Sequence, residues 1–437
     1  MSNMHPTSTE QTPAFRVLLL GGGGREHALA KALSQSPHCS ALFVAPGNPG
    51  TALLATNLDL VPSKAETVSA AIHQYQIDLL VCGPEEPLVN GLADRLRDEF
   101  GHQEVLFFGP GASGARLEGS KDFSKQFMAR HGIPTARYRS FTVEQLEAGL
   151  DYLREHPLPV VLKADGLAAG KGVVICATTE EACETLSDML INQRFGTAGS
   201  RVVVEEFLEG IEMSAFVITD GLNYLLLPEA KDYKRVGEGD TGLNTGGMGA
   251  VSPAPFADAA FMARVEERVI RRTLSGLQAE NIPFTGFVFF GLMKVGNDPY
   301  VIEYNVRLGD PETEVVVPRI QSDLLQHLVA ACRGTLKAER LQTNPQTACT
   351  VMLVSGGYPG DYPRGFTIYG DTHQALTYHA GTRIANDGSL QTAGGRVLAV
   401  GAFGADVSEA RKNAYARVHQ LCFEGVFFRR DIGLDLG

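Results

Sequence analysis

The stretch LLLGGGGREHALA, residues 18–30, decides the class of fold of this chain. An apolar strand runs through four glycines into a helix, an arrangement that places a phosphate on a helix N-terminus. Three further apolar runs end at Gly or Pro in the same way: ALFVAPG (41–47), IDLLVCGPEEP (77–87) and VLFFGP (105–110). Strands that end at such loops alternate with helices in parallel α/β sheets. We therefore predict a doubly wound parallel α/β domain at the N-terminus.

Two familiar phosphate-binding patterns do not match. A dinucleotide fingerprint needs a third glycine where this chain has Glu26, and an acid after the second strand, where it reads FVAPGNPG. The stretch GLAAGKG (166–172) has three residues between Gly166 and Gly170, and Gly172 replaces the hydroxyl residue of a P-loop. A nicotinamide oxidoreductase is therefore only an alternative, which binding of NAD(P)H would test.

The pattern changes at Ser120, which is predicted to cap a helix ending before Gly132. The strands and helices that follow are mixed in order, which indicates an α+β domain, and the segment after NYLLLPEA (223–230) reads as a long irregular loop. A smaller β-rich region closes the chain. We divide the sequence into a disordered tail (1–13), an N-terminal α/β domain (14–117), a central domain (118–340) and a C-terminal β-rich domain (341–437).

Composition limits the function. The formal net charge of −12 argues against nucleic-acid binding, which needs a basic face. No apolar run approaches the ~18 residues of a membrane span. The seven cysteines form no CxxC pair, which favours reduced thiols and a cytoplasmic location.

VIEYNVR (301–307) carries the sharpest chemical signal. On a strand, Glu303, Asn305 and Arg307 share one face, while residues 302, 304 and 306 share the other. Two oxygen ligands and a guanidinium suit a Mg²⁺–polyphosphate; a solvated edge strand is the alternative.

Neighbouring segments point to the same chemistry. Lys163 interrupts an apolar strand beside GLAAGKG, which we interpret as a lid over phosphates rather than a plain hairpin. In VVVEEFLEGIE (202–212), Glu205 or Glu212 can accept hydrogen bonds from an adenine amino group or ribose hydroxyls; an exposed acidic turn is the alternative.

Taken together, these segments resemble the glycinamide ribonucleotide synthetase family of the ATP-grasp ligases. The resemblance rests on eight ordered matches and covers almost the whole chain: VAPGNPGT, GPEEPLVNGLAD, FGPGASGARLEGSK, KADGLAAGKGV, VVVEEFLEG, DYKRVGEGDTGLNTGGMGAVSP, GLMKV and VIEYNVRLGDPETE. It implies a central ATP-grasp domain with a lid at about 135–206. It also implies an ATP-dependent ligation of glycine to 5-phosphoribosylamine through glycyl phosphate, the second step of de novo purine synthesis.

The resemblance also implies roles for individual residues. Arg307 and Asp310 are expected where the phosphoryl group and glycine meet, and Glu303 and Asn305 are expected to hold Mg²⁺ or Mn²⁺. The expected ATP-binding residues are Lys121, Lys163, Gly170, Lys171, Glu205, Phe207, Leu208 and Glu212. The expected substrate-binding residues are Gly23, Arg25, Glu26, Gly47, Asn48, Gly50, Thr51, Pro84, Glu85, Asp240 and Asn244, with the sugar phosphate near Gly23.

Some points stay open at this stage. The strand FFGLMKV lacks the metal-binding acid that many ATP-grasp relatives carry, so the number of metal ions is undetermined, and Glu314 or a neighbour is a candidate for a further ligand. Another ATP-grasp carboxylate–amine ligase or carboxylase and a non-catalytic nucleotide-binding regulator are the alternative functions. The expected partners are small molecules, without nucleic acid or membrane, and we expect a monomer or weak dimer.

Overall fold

The computed structural model describes residues 14–167, 172–192 and 196–437, except for the side chains of residues 102, 103, 197 and 198. The predicted disordered tail, Gly170 and Lys171 lie outside the described residues. Among the helices of the described ranges, none is long and apolar enough to cross a membrane.

The N-terminal domain is the predicted doubly wound α/β unit. Its five strands are all parallel, in the order β3-β2-β1-β4-β5. Leu18 and Leu20 of the first strand pack into one apolar cluster, and Val17 and Leu19 pack into another, as expected for a parallel sheet covered on both faces. The elements are β1 (Phe15–Gly21), α1 (Gly24–Ser34), β2 (Cys39–Pro46), β3 (Thr56–Asn57), α2 (Ala65–Tyr75), β4 (Leu79–Cys82), α3 (Glu85–Val89), α4 (Leu92–Glu104), β5 (Leu106–Phe108) and α5 (Ala112–Gly119).

A four-stranded antiparallel sheet, ordered β6-β9-β7-β8, follows a connecting helix. The predicted cap is confirmed: Ser120 Oγ accepts a hydrogen bond from Phe123 N at 3.1 Å, and Gly132 adopts φ +62° just after the helix. The elements are α6 (Lys121–Arg130), β6 (Tyr138–Thr142), α7 (Leu146–Glu155), β7 (Val160–Ala164), β8 (Val173–Cys176), α8 (Thr179–Ile191) and β9 (Arg201–Glu206).

A second antiparallel sheet is ordered β11-β10-β16-β17. Its edge strand, β17, carries the predicted metal ligands Glu303 and Asn305 and is here called the metal strand. One helical stretch with a π turn at Glu266–Ile270 packs on this sheet through Phe261, Val265 and Leu274. The elements are β10 (Ile211–Thr219), β11 (Tyr224–Leu226), α9 (Ala259–Val265), α10 (Arg271–Ala279), β16 (Gly286–Val295) and β17 (Asp298–Asn305).

The expectation of an irregular loop after NYLLLPEA was wrong. Within that segment, β12 (Lys231–Asp232) and β15 (Gly249–Ser252) join the C-terminal sheet, where β15 pairs with β18 (Thr347–Ser355). The sequence hid these strands because each is short and because β18, the strand that ties β15 into the C-terminal sheet, lies far along the chain. The remaining elements are β13 (Arg235–Gly237), β14 (Thr241–Asn244), α11 (Thr313–Val316), α12 (Leu324–Cys332), β19 (Thr377–His379), β20 (Thr382–Ile384), β21 (Leu390–Thr392), β22 (Arg396–Gly404), α13 (Val407–Val418) and β23 (Val426–Phe427).

A buried histidine pair joins the N-terminal and C-terminal domains. His27 Nδ1 of α1 accepts a hydrogen bond from the backbone N of His379 at 2.8 Å, and both side chains are almost fully buried. Burial, with the charges of His379 and Lys31, lowers the pKa of His27 to about 3. Burial, with the charge of His373, lowers the pKa of His379 to about 4. Both imidazoles are therefore neutral in the folded protein at neutral pH.

This pair predicts an acid-sensitive fold. The unfolded chain takes up protons near pH 6.5 and the folded chain does not, so stability is full above pH 6.5 and falls as the pH drops towards 3. Each histidine should lower the free energy of unfolding by about 1.4 kcal/mol between pH 7.5 and pH 5.5. His27→Asn, which keeps a hydrogen-bond acceptor, should lose less stability than wild type over this range in thermal melts. The exposed control His73→Asn should behave as wild type; an equally steep loss in His27→Asn would contradict the assignment.

Candidate active site

The first half of the glycine loop packs against its own chain. Gly21 adopts φ +123°, a backbone conformation that favours glycine. At Gly22, a Cβ would lie 2.8 Å from the carbonyl oxygen of Gly47, so the two loops can touch only without a side chain there. These glycines therefore bring the loop after β1 against the loop after β2.

The second half of the loop receives two carboxyl groups from the segment after β17, one from the turn at Asp310 and one from Glu314 in α11. A Cβ on Gly23 would lie 3.3 Å from Asp310 Oδ2, and a Cβ on Gly24 would lie 2.3 Å from Glu314 Oε1. The backbone N of Arg25 donates to Asp310 Oδ2 at 3.5 Å. The N-terminus of α1 thus faces a carboxylate from the central domain, and a phosphate near Gly23 stays a prediction that would have to share this position.

Arg25 and Glu26 tie the loop to the same turn. Arg25 Nε forms an ion pair with Glu26 Oε1 at 2.6 Å, and Arg25 donates to the Leu308 carbonyl at 3.2 Å. Glu26 Oε2 also accepts from the backbone N of Gly23 at 2.7 Å. The Arg25 side chain is buried and already bonded, so direct contact with a substrate stays a prediction.

Asn48 organises the second predicted substrate loop. Its amide donates to the carbonyls of Gly22 at 3.0 Å and His379 at 2.8 Å. Its Oδ1 accepts from the backbone N of Gly50 at 2.8 Å and of Thr51 at 3.0 Å. Asn48 therefore joins both N-terminal loops to the C-terminal sheet. Gly47, at φ +70°, belongs to the same loop.

Two carboxylates from the N-terminal half hold Arg307. Glu85, which follows Pro84 at the start of α3, pairs with Arg307 Nε at 3.3 Å. Glu118 at the end of α5 pairs with the guanidinium at 2.8 Å and accepts from the backbone N of Val306 at 2.7 Å. Burial raises the pKa of Glu118 to about 7 despite the charge of Arg307. The sequence analysis did not identify Glu118. The signal was its place in ARLEGSK (115–121), three residues before the phosphate-binding candidate Lys121.

We expect Glu118→Gln to lower kcat by about 10²-fold while the KM for ATP changes little, because a misplaced guanidinium weakens transition-state charge stabilisation. A steady-state assay of ligation with thermal melts on the same sample would check this. Glu86→Gln, an exposed neighbour of Glu85, is the control. Unchanged kcat in a folded Glu118→Gln protein would contradict the role.

Glu303 and Asn305 stand two residues apart on β17, as predicted. Gly291 lies opposite Glu303, and a Cβ there would be 2.9 Å from Glu303 Cγ, so the neighbouring strand makes room for this carboxylate. The expected alternation was wrong at Ile302, where the register shifts; Val301, Tyr304 and Val306 are the core residues instead. A β-bulge of this kind re-aims side chains and leaves no mark in the sequence pattern.

Four cations surround Glu303. Burial raises the pKa of Glu303, but the charges of Lys234, Lys163, Lys121 and Arg307 outweigh it, and the net shift is downward. The carboxylate is therefore ionised at neutral pH, in a region with enough positive charge for a polyphosphate.

The residues present fit a metal ion shared with a nucleotide. Glu303 supplies an ionised carboxylate and Asn305 supplies an amide oxygen, both suited to Mg²⁺. Among the described residues, no group of three or more His, Cys, Asp or Glu could hold a metal ion. Glu303 and Asn305 would hold such an ion, which would supply charge neutralisation for phosphates.

Glu314, the candidate for a further ligand, lies beneath the N-terminus of α1. It is fully buried against Gly24, and burial with the neighbouring charge of Asp310 raises its pKa well above the ordinary value. Burial thus opposes the ionised form that metal binding needs, and this position disfavours Glu314 as a ligand.

Lys163 reaches from the four-stranded sheet to the metal strand. Its Nζ forms an ion pair with Glu205 Oε1 at 3.0 Å and donates to the carbonyl of Ile302 at 3.1 Å. Lys125 pairs with the other oxygen of Glu205 at 2.8 Å. Because the Glu205 carboxylate is buried between two lysines, its contact with adenosine stays a prediction.

The other described ATP-binding candidates are Lys121, Phe207, Leu208 and Glu212. Lys121 Nζ donates to the carbonyl of Gly166 at 3.0 Å, at the start of the predicted lid loop. Phe207 is exposed directly after β9, and Leu208 follows it. Glu212 on β10 pairs with Lys234 at 3.0 Å.

Two cations to which the sequence analysis gave no role, Lys234 and Arg396, interact with predicted site residues. The charges of Asp232, Glu212 and Glu303 raise the pKa of Lys234 well above its ordinary value despite burial. Arg396, at the start of β22, pairs with Asp310 Oδ1 at 3.0 Å. The charged cluster in KDYKR (231–235), next to an apolar strand, could have drawn attention to Lys234; nothing in the sequence links residue 396 to residue 310.

The last two predicted substrate contacts lie in one hairpin. Asp240 occupies the turn between β13 and β14 and pairs with Arg429 at 2.7 Å. Asn244 lies opposite Arg235 at the base of the hairpin.

Comparison with known proteins covers most of the chain. Three family models match in order: the phosphoribosylglycinamide synthetase N domain at residues 15–118, its ATP-grasp (A) domain at 119–313 and its C domain at 348–435. The chain is 46% identical over 427 residues to a phosphoribosylamine–glycine ligase of Escherichia coli strain K12, covering 96% of this chain and 98% of that protein. It is 47% identical over 422 residues to one from Agrobacterium fabrum, covering 96% and 98%.

Two solved structures share the fold of this chain. The crystal structure of phosphoribosylamine–glycine ligase from Thermotoga maritima matches with a TM-score of 0.84 and 37% identity, covering 95% of this chain and 100% of that one. A biotin carboxylase from Campylobacter jejuni matches with a TM-score of 0.70 at 16% identity, covering 96% and 94%, and so shares the fold.

Proposed function

Because this chain belongs to the phosphoribosylglycinamide synthetase family, we propose that it is the ATP-dependent ligase that joins glycine to 5-phosphoribosylamine, a step of purine biosynthesis. The products are glycinamide ribonucleotide, ADP and phosphate. The observation that carries the proposal is the positive charge that converges on Glu303: Lys163 reaches the carbonyl of the preceding Ile302 at 3.1 Å, and the charges of Lys234, Lys163, Lys121 and Arg307 lower the pKa of Glu303.

The chemistry follows from the weak electrophilicity of a carboxylate. An oxygen of the glycine carboxylate attacks the γ-phosphorus of ATP, the bond to the ADP oxygen breaks, and glycyl phosphate forms. The amine of 5-phosphoribosylamine then attacks the carbonyl carbon, phosphate leaves, and the nitrogen loses a proton. Both steps depend mainly on positioning and on charge stabilisation, which a cluster of cations supplies.

We assign the phosphates of ATP to Lys121 and Lys163, with Lys234 beside them. Glu303 and Asn305 would hold the Mg²⁺ or Mn²⁺ ion, which when bound neutralises phosphate charge. Arg307, held by Glu85 and Glu118, is placed to stabilise the transferring phosphoryl group.

We assign phosphoribosylamine to the region where the two N-terminal loops meet the turn at Asp310. The support is the N-terminus of α1, where the backbone N of Arg25 already donates to the carboxylate of Asp310 at 3.5 Å, a position that suits an anionic group. Glycine would lie between Arg307 and Asp310. A cytoplasmic location and a monomeric or weakly dimeric state stay predictions.

The decisive experiment measures phosphate release from ATP and Mg²⁺ with glycine and freshly generated phosphoribosylamine each omitted in turn. Release that requires both substrates is expected. Release that requires bicarbonate instead would point to the carboxylases that share the fold, and no release with both substrates would overturn the proposal.

A further inference from the structure

The C-terminal residues 429–435, here called the strap, pack against the hairpin of residues 235–244. Arg429 is 1% exposed, and its guanidinium donates to Asp240 Oδ1 at 2.7 Å and to the carbonyl of Arg235 at 3.0 Å. The same guanidinium makes two bonds to Asp431, at 2.8 Å and 2.7 Å. One buried arginine thus links the end of the chain to the first strand and the turn of the hairpin, although nothing in the proposed chemistry uses it.

The strap also fixes the tip of the hairpin. Asp431 Oδ2 accepts from the backbone N of Gly239 at 2.8 Å, and Glu238 Oε1 accepts from the backbone N of Arg430 at 3.3 Å. Gly239 and Asp240 both adopt left-handed backbone conformations, at φ +64° and +54°. A left-handed backbone is uncommon for residues other than glycine, although aspartate adopts it more readily than most. The contacts of the strap hold the tip of the hairpin in this conformation.

The strap is itself anchored on both sides. On the C-terminal domain, the hydroxyl of Tyr415 in α13 donates to the carbonyl of Arg429 at 2.7 Å. On the other side, Asp435 accepts from the Tyr233 hydroxyl at 2.5 Å and pairs with Lys231 Nζ at 3.1 Å. The strap therefore connects a rigid helix to the segment that precedes the hairpin.

That segment leads directly into the active centre. Lys234 follows Tyr233, pairs with Glu212 at 3.0 Å and contributes to the charge that acts on Glu303. Asp240 and Asn244, the predicted glycine or sugar contacts, follow within the hairpin. The position of these residues depends on contacts with residues almost two hundred positions further along the chain.

We propose that Arg429 is a positioning residue that fixes the hairpin 235–244 beside Lys234 and so sets the affinity for the substrate bound there. This inference rests on the proposed function. It gives the C-terminal domain a part in substrate binding, since the end of the chain orders a loop of the central region.

Arg429→Met tests the inference by hydrogen exchange and kinetics together. We expect the amides of residues 235–244 to exchange about tenfold faster or more, because opening of the hairpin loses its tertiary restraint. We also expect the KM for glycine or phosphoribosylamine to rise about tenfold or more, with the KM for ATP within about twofold. Arg430→Gln, an exposed neighbour in the strap, should leave exchange and kinetics at wild-type values.

Unchanged exchange in Arg429→Met would overturn the structural link. Faster exchange with unchanged KM values for both substrates would overturn the role in substrate binding. If Arg429→Met does not fold, Asp240→Asn removes the same ion pair at a residue whose side chain is 56% exposed, and it should also speed exchange at the hairpin. Failure of the wild-type protein to ligate glycine would overturn the proposed function separately, since the exchange comparison needs no turnover.

Discussion

Glu303→Gln is expected to lower ligation by about 10³-fold or more, because it removes the negative charge around which Lys121, Lys163 and Lys234 are arranged. The amide keeps the shape of the side chain, so the fold should survive. Phosphate release at saturating substrates, over a range of Mg²⁺ concentrations, would measure the loss. A partial recovery at high Mg²⁺ would indicate that weakened metal binding is the cause.

Asp298→Asn provides a matched control at the other end of the same strand. Asp298 forms a partly exposed ion pair with Arg268 at 2.5 Å, and such pairs contribute little to stability. Its activity should stay close to wild type. Wild-type activity of Glu303→Gln at ordinary Mg²⁺ would refute the assignment of the metal strand.

Lys163→Met should have the second-largest effect, a fall of about 10²-fold or more in kcat/KM for ATP, because a buried cation is lost where the phosphates are expected. Lys125→Met is the informative comparison, since both lysines pair with Glu205. Breaking a buried ion pair costs up to about 3–5 kcal/mol, less here because Glu205 keeps its other lysine. Both variants should therefore melt at lower temperature.

The two lysines should separate in kinetics. Lys125 donates to Thr135 Oγ1 at 2.8 Å within the protein, and burial lowers its pKa to about 8, so we expect a structural role. The KM for ATP should rise in Lys163→Met and stay near wild type in Lys125→Met. Equal increases in both variants would mean that Lys163 acts only through Glu205.

Sequence patterns predicted secondary structure correctly where the deciding contacts lie within a few residues of one another. Ser120 begins its helix because a serine side chain satisfies a free backbone N–H of the first turn. Side chains alternate along a strand, so the pattern predicts that Glu303 and Asn305 share one face. The break at Ile302 was missed because the register of β17 depends on its pairing with β16.

The glycine loop shows the same division. The order of strand, glycines and helix follows from the local pattern, and the phosphate near Gly23 stays a prediction. The approach of Asp310 and Glu314 to Gly23 and Gly24 follows from packing of the central domain on α1.

The sequence by itself determined the order of the domains, the parallel N-terminal sheet and the pair of oxygen-bearing side chains, Glu303 and Asn305, on one strand, because these depend on neighbours within a few residues. Only the tertiary structure decided how the charged side chains pair: Lys234 reaches Glu212, Glu118 reaches Arg307, Arg396 reaches Asp310 and Arg429 reaches Asp240. Most of these ion pairs join residues far apart in the chain, and no periodicity or spacing encodes them. They form because buried charges are costly unless an opposite charge is brought to them by the packing of the domains.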